Sequence, residues 1–473
     1  MKVQGLLAAL LITAASIVQA QGAGTFDSNF GVRGRVLQEY FGPAQKDAPL
    51  VDVTAQDSQR RLLLGGTPRA QGTFQSDTAT LLRLTPSGAI DTSFGSDGFI
   101  EMQPVAPFEG GETQMVAVAT TTLDRVLVLF EYHASDALNG QRSRLCRFSA
   151  SGELDPGFGI GGCSFVQFNP EAGVEHTSDM AVEADGDIIV LGDTESIPPG
   201  ERPTTVSRFH ADGSLDLCFN DPTCSFGGTA FLDVPGSDFS LQLVLAPAPD
   251  GRIVVGFLAS LKNEVVSDWW VARLLPTGAI DLAFNVDGYA RVGVNNDAVY
   301  NYPVTDIIVR SNGRIVVAGE TEGPINGNQL TLAQFTTTGT LDPSFSGDGR
   351  LDTFISDVNV SESDAHLALQ DDGKLVLAGS SLVIDSRFRA GVVRLLPNGE
   401  ADDTFGFDGR RYIGYRENSD ANAQDSVRGV HVDGRGITVA GSDYHVGEQK
   451  RRYAALRVGQ DDLFRDGYET PSP

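Results

Sequence analysis

Three acidic groups are the first residues whose type and spacing could do chemistry. They are Glu171, Glu175 and Asp179; Asp357, Glu362 and Asp364; and Glu417, Asp420 and Asp425. Two carboxylates at a set separation around a sugar perform glycoside hydrolysis, and six or more converging oxygens hold calcium. Sequence spacing supplies neither separation, so a solvated acidic loop explains each group as well. The six histidines, His133, His176, His210, His366, His431 and His445, are scattered, with no His-Glu-x-x-His and no close pair at metal spacing. No Gly-x-Ser-x-Gly elbow and no Gly-x-x-x-x-Gly-Lys-Ser/Thr phosphate loop occurs. No motif implies a metal site or a cofactor, and calcium is the one ion that the acidic groups would suit.

The elements that must position these residues follow from a repeat. The phrase Asp-x-x-Phe occurs at Asp27/Phe30, Asp91/Phe94, Asp155/Phe158, Asp216/Phe219, Asp281/Phe284, Asp342/Phe345 and Asp402/Phe405. The Phe spacings are 64, 64, 61, 65, 61 and 60, too regular for chance composition. An apolar run keeps step with it, as in Leu62–Gly66, Ile188–Gly192, Ile315–Gly319 and Ile437–Gly441. Asp-Gly or Asn-Gly pairs such as Asp185-Gly186 and Asn312-Gly313 precede most of these runs, and they suit the positive φ angles of tight hairpins. Each unit of about 60 residues reads as four antiparallel strands with no sustained helical period, the pattern of a β-propeller blade. The expected fold is therefore all-β: one seven-bladed propeller over residues 21–460, closed by the N-terminal strand.

The repeated residues have scaffold roles. Asp accepts a hydrogen bond from an amide two or three residues on, and Phe fills the gap between blades. An Arg eight residues before the Asp, as in Arg83 and Asp91, predicts an ion pair within the blade rather than a substrate clamp.

Phrases such as Val271-Ala-Arg-Leu-Leu-Pro-Thr-Gly-Ala-Ile-Asp-Leu-Ala-Phe284 and Arg314-Ile-Val-Val-Ala-Gly319 resemble the delta-60 repeat family over about residues 25 to 460. The resemblance implies a secreted or surface bacterial propeller and supplies no catalytic motif.

Composition narrows the function. With 35 Lys and Arg against 62 Asp and Glu, the chain carries −27, which argues against nucleic acid and against an anionic membrane surface. Lys2, the apolar run Leu6 to Ile17 and the small residues Val18 and Ala20 read as a signal peptide over residues 1–20. No later stretch is long and apolar enough to span a bilayer, so the mature chain is expected to lack a transmembrane segment. Export to the periplasm, cell surface or exterior is expected, with residues 461–473 as a C-terminal tail. Four cysteines in an oxidising compartment should form two disulfides, and local spacing favours Cys218–Cys224 and Cys146–Cys163.

Two readings of function remain. One is non-catalytic binding of a protein, a glycan or a surface polymer. The other is a propeller-type hydrolase or lyase using acidic residues, with or without calcium, near the axis. Loop lengths place a ligand on the face carrying the long connections, because loops on a rigid scaffold concentrate binding residues. The candidates are Glu175, Asp179, Asp306, Asp364, His366 and Asp425, with Trp269, Tyr444 and His445 in neighbouring loops.

Overall fold

The apolar runs pair in the order that their turns dictate. The computed structural model describes residues 26–39, 50–67, 78–102, 112–133, 141–168, 175–194, 203–225, 227–232, 237–261, 267–293, 302–323, 327–356, 361–383, 387–416 and 423–459. The expected signal peptide, the C-terminal tail and parts of several long connections lie outside these residues. The described residues form seven sheets of four antiparallel strands and no helix, a seven-bladed β-propeller. None of them offers a helix long and apolar enough to cross a membrane.

In six blades the strands lie in chain order, the first innermost. The first strands are Leu50–Gln56, Glu112–Thr120, Glu175–Val182, Ser237–Pro247, Val304–Val309, Glu362–Leu369 and Ala423–Asp433, and each touches the next around the axis. The second strands are the most buried, as in Ile188–Thr194, where every residue is buried. Blade seven differs: its outer strand is Arg35–Gln38, paired with Lys450–Val458. The N-terminal strand thus closes the ring and covers an edge that would otherwise be open.

Asp-x-x-Phe works at the joint between blades. Asp281 accepts the Ala283 amide at 3.1 Å and the Arg273 Nε at 2.8 Å. Arg273 also donates to the Thr337 carbonyl of the next blade at 2.6 Å and lies over the Phe284 ring at 4.5 Å. The same set recurs at Arg83, Arg147 and Arg208, so the repeated Arg binds within its blade and to the next. In blade five Gln334 takes the Arg position and donates to Asp342 at 2.9 Å, with Arg314 supplying the positive charge at 2.7 Å. The seven Phe side chains are wholly buried between sheets.

Cys146 is bonded to Cys163 across the third and fourth strands of blade two. Cys218 is bonded to Cys224 in the turn that follows Asp216.

Candidate functional site

Every inner strand carries a β-bulge, opposite the end of the apolar run on the second strand. The shifts fall at Val51/Val53, Met115/Ala117, Thr177/Asp179, Leu241/Val244, Val304/Asp306, Ser363/His366 and Val427/Gly429. A bulge leaves ladder groups unpaired and re-aims side chains. The residue after it is small or apolar in blades one, two, four and seven, but is Asp179, Asp306 and His366 in blades three, five and six. The post-bulge position is therefore polar in three of the seven blades.

Each of these groups stitches two blades. Asp179 accepts the amides of Met180 at 2.7 Å and, from blade four, Leu245 at 2.9 Å. Asp306 repeats this one blade further on, accepting Ile307 at 2.8 Å and Leu367 of blade six at 2.7 Å. His366 Nδ1 lies 3.9 Å from the Asp306 carboxylate. Asp364, on the bulge itself, pairs with Arg428 on the bulge of blade seven and accepts the Ser380 hydroxyl at 2.9 Å. His431 of blade seven meets the Thr54 hydroxyl of blade one at 2.9 Å.

Removal from water governs the charges here. Burial pushes the Asp179 carboxyl up to about 6. It pushes Asp306 up to about 7, with the nearby charge of Asp179 adding to the effect. Burial also holds His366 and His431 down at about 4, so both imidazoles are neutral at neutral pH. Asp306 can therefore hold a proton beside a neutral His366.

The other expected residues lie elsewhere. Glu175 and Asp425 are not in loops but on inner strands, four residues before the post-bulge position, and Glu362 occupies the same place in blade six. Their carboxylates accept the amides of Phe168 at 2.9 Å, Tyr415 at 3.2 Å and Ser356 at 3.3 Å. They clamp the chain as it arrives from the previous blade, a structural task. Of the acidic groups expected between strands, Glu171, Asp357, Glu417 and Asp420 lie outside the described residues, and the rest lie on inner strands that begin earlier than their apolar runs.

Trp269 is likewise not in a loop. It lies on the third strand of blade four, is wholly buried, and donates its indole N–H to the Tyr302 carbonyl at 3.0 Å. Its ring fills the space left by Gly319, where an added Cβ would lie 2.6 Å from it. Tyr444 and His445 end the second strand of blade seven, which turns into the third through a short hairpin. Arg451 lies over the Tyr444 ring at 5.5 Å, and His445 Nδ1 accepts the Glu448 amide at 2.9 Å. These two stand on the face expected to bind, away from the polar post-bulge residues. Arg428, His431 and Thr54 were not singled out in the sequence. The bulges that aim Arg428 and Asp364 leave no residue-type signature, although the Gly opposite them, as in Gly379 and Gly441, marks the place.

Comparison with known proteins yields propeller-repeat matches and no activity. No curated protein matches the chain. Among solved structures, a protein of unknown function from Dyadobacter fermentans shares 11% identity over 90% of this chain and 100% of its own, with a TM-score of 0.47. An ulvan lyase shares 8% over 90% and 96%, at 0.48. The β-propeller domain of the trilobed protease from Pyrococcus furiosus shares 11% over 90% and 100%, at 0.45. Three segments, residues 248–284, 310–345 and 370–405, match the family described as a domain of unknown function (DUF5122) beta-propeller. Each runs from the first tight turn of a blade to the Phe of Asp-x-x-Phe, so the chain is a propeller-repeat protein.

Proposed function

We propose that this chain is an exported propeller that binds a protein, glycan or surface polymer on its long-loop face and performs no chemistry on it. The observation that supports this reading is the state of the channel carboxylates. Asp179 and Asp306 each spend both oxygens on backbone amides of two blades, and Asp364 is paired with Arg428. Groups so engaged hold a ring together, whereas a nucleophile or general acid needs a face turned to its substrate. Blades that are uniform in their tight turns and varied in their long connections leave the latter for recognition.

Glycan arrays and capture from cell-surface extracts with the purified full chain supply the ligand. Tyr444→Ala on the long-loop face is then expected to weaken binding, and Asn398→Ala in a tight turn to leave it intact. The reverse result overturns the assignment of the face.

One observation favours a hydrolase or lyase instead: the Asp306 carboxyl, raised to about 7, stands beside neutral His366. On that reading, polysaccharide cleavage would be detectable and Asp306→Asn would abolish it. Binding without cleavage, unchanged by Asp306→Asn, removes it.

A further inference from the structure

Blade three breaks a charge rule that its neighbours keep. The residue just before the second strand is Arg61, Arg125, Arg252, Arg314 and Lys374 in blades one, two, four, five and six. In blades four, five and six this cation reaches the Asp of Asp-x-x-Phe at 3.0, 2.7 and 3.2 Å. Blade three places Asp187 there. Two carboxylates, Asp187 and Asp216, then face each other where a carboxylate and a cation stand in those blades.

His210 lies between them. Its Nδ1 is 3.2 Å from Asp187 Oδ2, and its Nε2 is 3.8 Å from Asp216 Oδ1. One ligating atom from each of the three residues lies within 4.8 Å of the other two. A separate feature adds to the deficit of positive charge. Glu183, four residues before Asp187, is only 8% exposed, and its Oε2 has no hydrogen-bond partner. Asp185, Asp187 and Asp216 are the carboxylates whose charges act on it. The nearest cation, Arg208, is 3.9 Å away and gives its hydrogen bonds to Asp216 and to the Pro276 carbonyl. Blade one shows the ordinary solution: Asp57 occupies the place of Glu183 and pairs with Arg61 at 2.5 Å.

We propose that blade three binds a divalent transition-metal ion, zinc being the one it suits, through Asp187, His210 and Asp216, in the place of the missing cation. An imidazole nitrogen with carboxylate oxygens suits zinc and its neighbours rather than calcium, which takes oxygen ligands throughout. The 3.2 Å between Nδ1 and Asp187 Oδ2 is close to the separation of two ligands that share an ion at about 2.0–2.1 Å. The site lies on the tight-turn face, opposite the face proposed to bind, and it locks the third and fourth strands of blade three to the turn between the first and second.

The test is calorimetry and thermal unfolding of the chelator-treated full chain, with zinc and, separately, calcium. Zinc is expected to bind at one site and raise the melting midpoint, because an ion that binds only the folded state stabilises it. Calcium at the same concentration is expected to leave the midpoint unmoved. Asp187→Arg restores the pairing of the other blades, so it is expected to fold and to lose the zinc response. His210→Ala is expected to lose it as well, and Asp187→Asn gives the same readout should the Arg variant fail to fold. No zinc response in the wild-type chain, or one that survives these substitutions, overturns the proposal.

Discussion

At the scale of single residues, the Arg of the repeat does more than balance a carboxylate. Arg394 is wholly buried, and its Nε donates to Asp402 at 2.8 Å. Lys374 still neutralises Asp402 from 3.2 Å when this Arg is removed, so Arg394→Ala loses a buried charge-assisted hydrogen bond and is expected to cost about 1.5–3 kcal/mol in denaturant unfolding. Arg394→Gln is expected to cost less, because Gln334 fills the same role in blade five and donates to Asp342 at 2.9 Å. Equal losses would show that the stacking on Phe405, not the hydrogen bond, is what matters. Glu362 makes a prediction about pH. Burial pushes its carboxyl up to about 7 from 4.5, so between those values the folded chain holds a proton that the unfolded chain has released. Stability therefore falls as pH rises through that window. Asp306, raised to about 7, and Asp179 and Asp425, raised to about 6, act in the same direction. His366 and His431, lowered to about 4 from 6.5, oppose them up to the unfolded value. Glu183, which burial also raises to about 7, brings these carboxyls to five against two imidazoles, so the melting midpoint is expected to be higher near pH 5 than near pH 7.5. Glu362→Gln should flatten that slope; a slope equal to wild type would locate the proton elsewhere.

At the scale of the element, the glycine that ends the apolar run on the second strand shows why the bulges exist. A Cβ on Gly319 would lie 2.0 Å from the Pro303 carbonyl oxygen and 2.6 Å from the Trp269 ring. Close approach, not an unusual φ angle, demands glycine here. Gly319→Ala is expected to cost about 1–3 kcal/mol or more through overpacking, read as a drop in denaturation midpoint. Blades two and four place Phe130 and Phe257 at this position, each filling the space with its own ring. An unchanged midpoint for Gly319→Ala would mean that the bulge can shift to admit a side chain. This element also marks the limit of reading the sequence. The Asp-x-x-Phe period, the apolar runs and the Asp-Gly turns disclosed the strands, because each depends on local residue types. Glu175 and Asp179 could not be told apart, although one clamps a connection and the other lines the channel, because a bulge between them resets the alternation of faces. Trp269 read as a loop residue because polar Ser267 and Asp268 precede it, and only packing against Gly319 shows it to be core.

At the scale of the whole molecule, stability rests on closing the ring. Seven sheets packed face to face leave two terminal faces to be joined, and this chain joins them with its first residues. Arg35 to Gln38 pair with Leu456 to Tyr453. Asp27 lies 4.0 Å from Arg457, and the Asp27 amide donates to the Arg457 carbonyl at 2.9 Å. Phe30 is wholly buried beneath the Arg457 guanidinium, and the Gly31 amide reaches the Ser87 carbonyl of blade one at 2.7 Å. A segment near residue 30 therefore supplies to blade seven what each other Asp-x-x-Phe supplies to its own blade, and also binds it to blade one. Deleting residues 21–40 removes all of these contacts at once and exposes Lys450–Val458 as an open edge, so the melting midpoint is expected to fall sharply. Phe30→Ala isolates the packing and is expected to cost about 3–5 kcal/mol. Because the clasp is shared by the first and last blades, Phe30→Ala should also speed hydrogen exchange in Leu62–Thr67 and Lys450–Val458 more than in blade four. A truncated chain that melts like the full one, or exchange that rises evenly around the ring, would show that the seven blades hold together without the clasp.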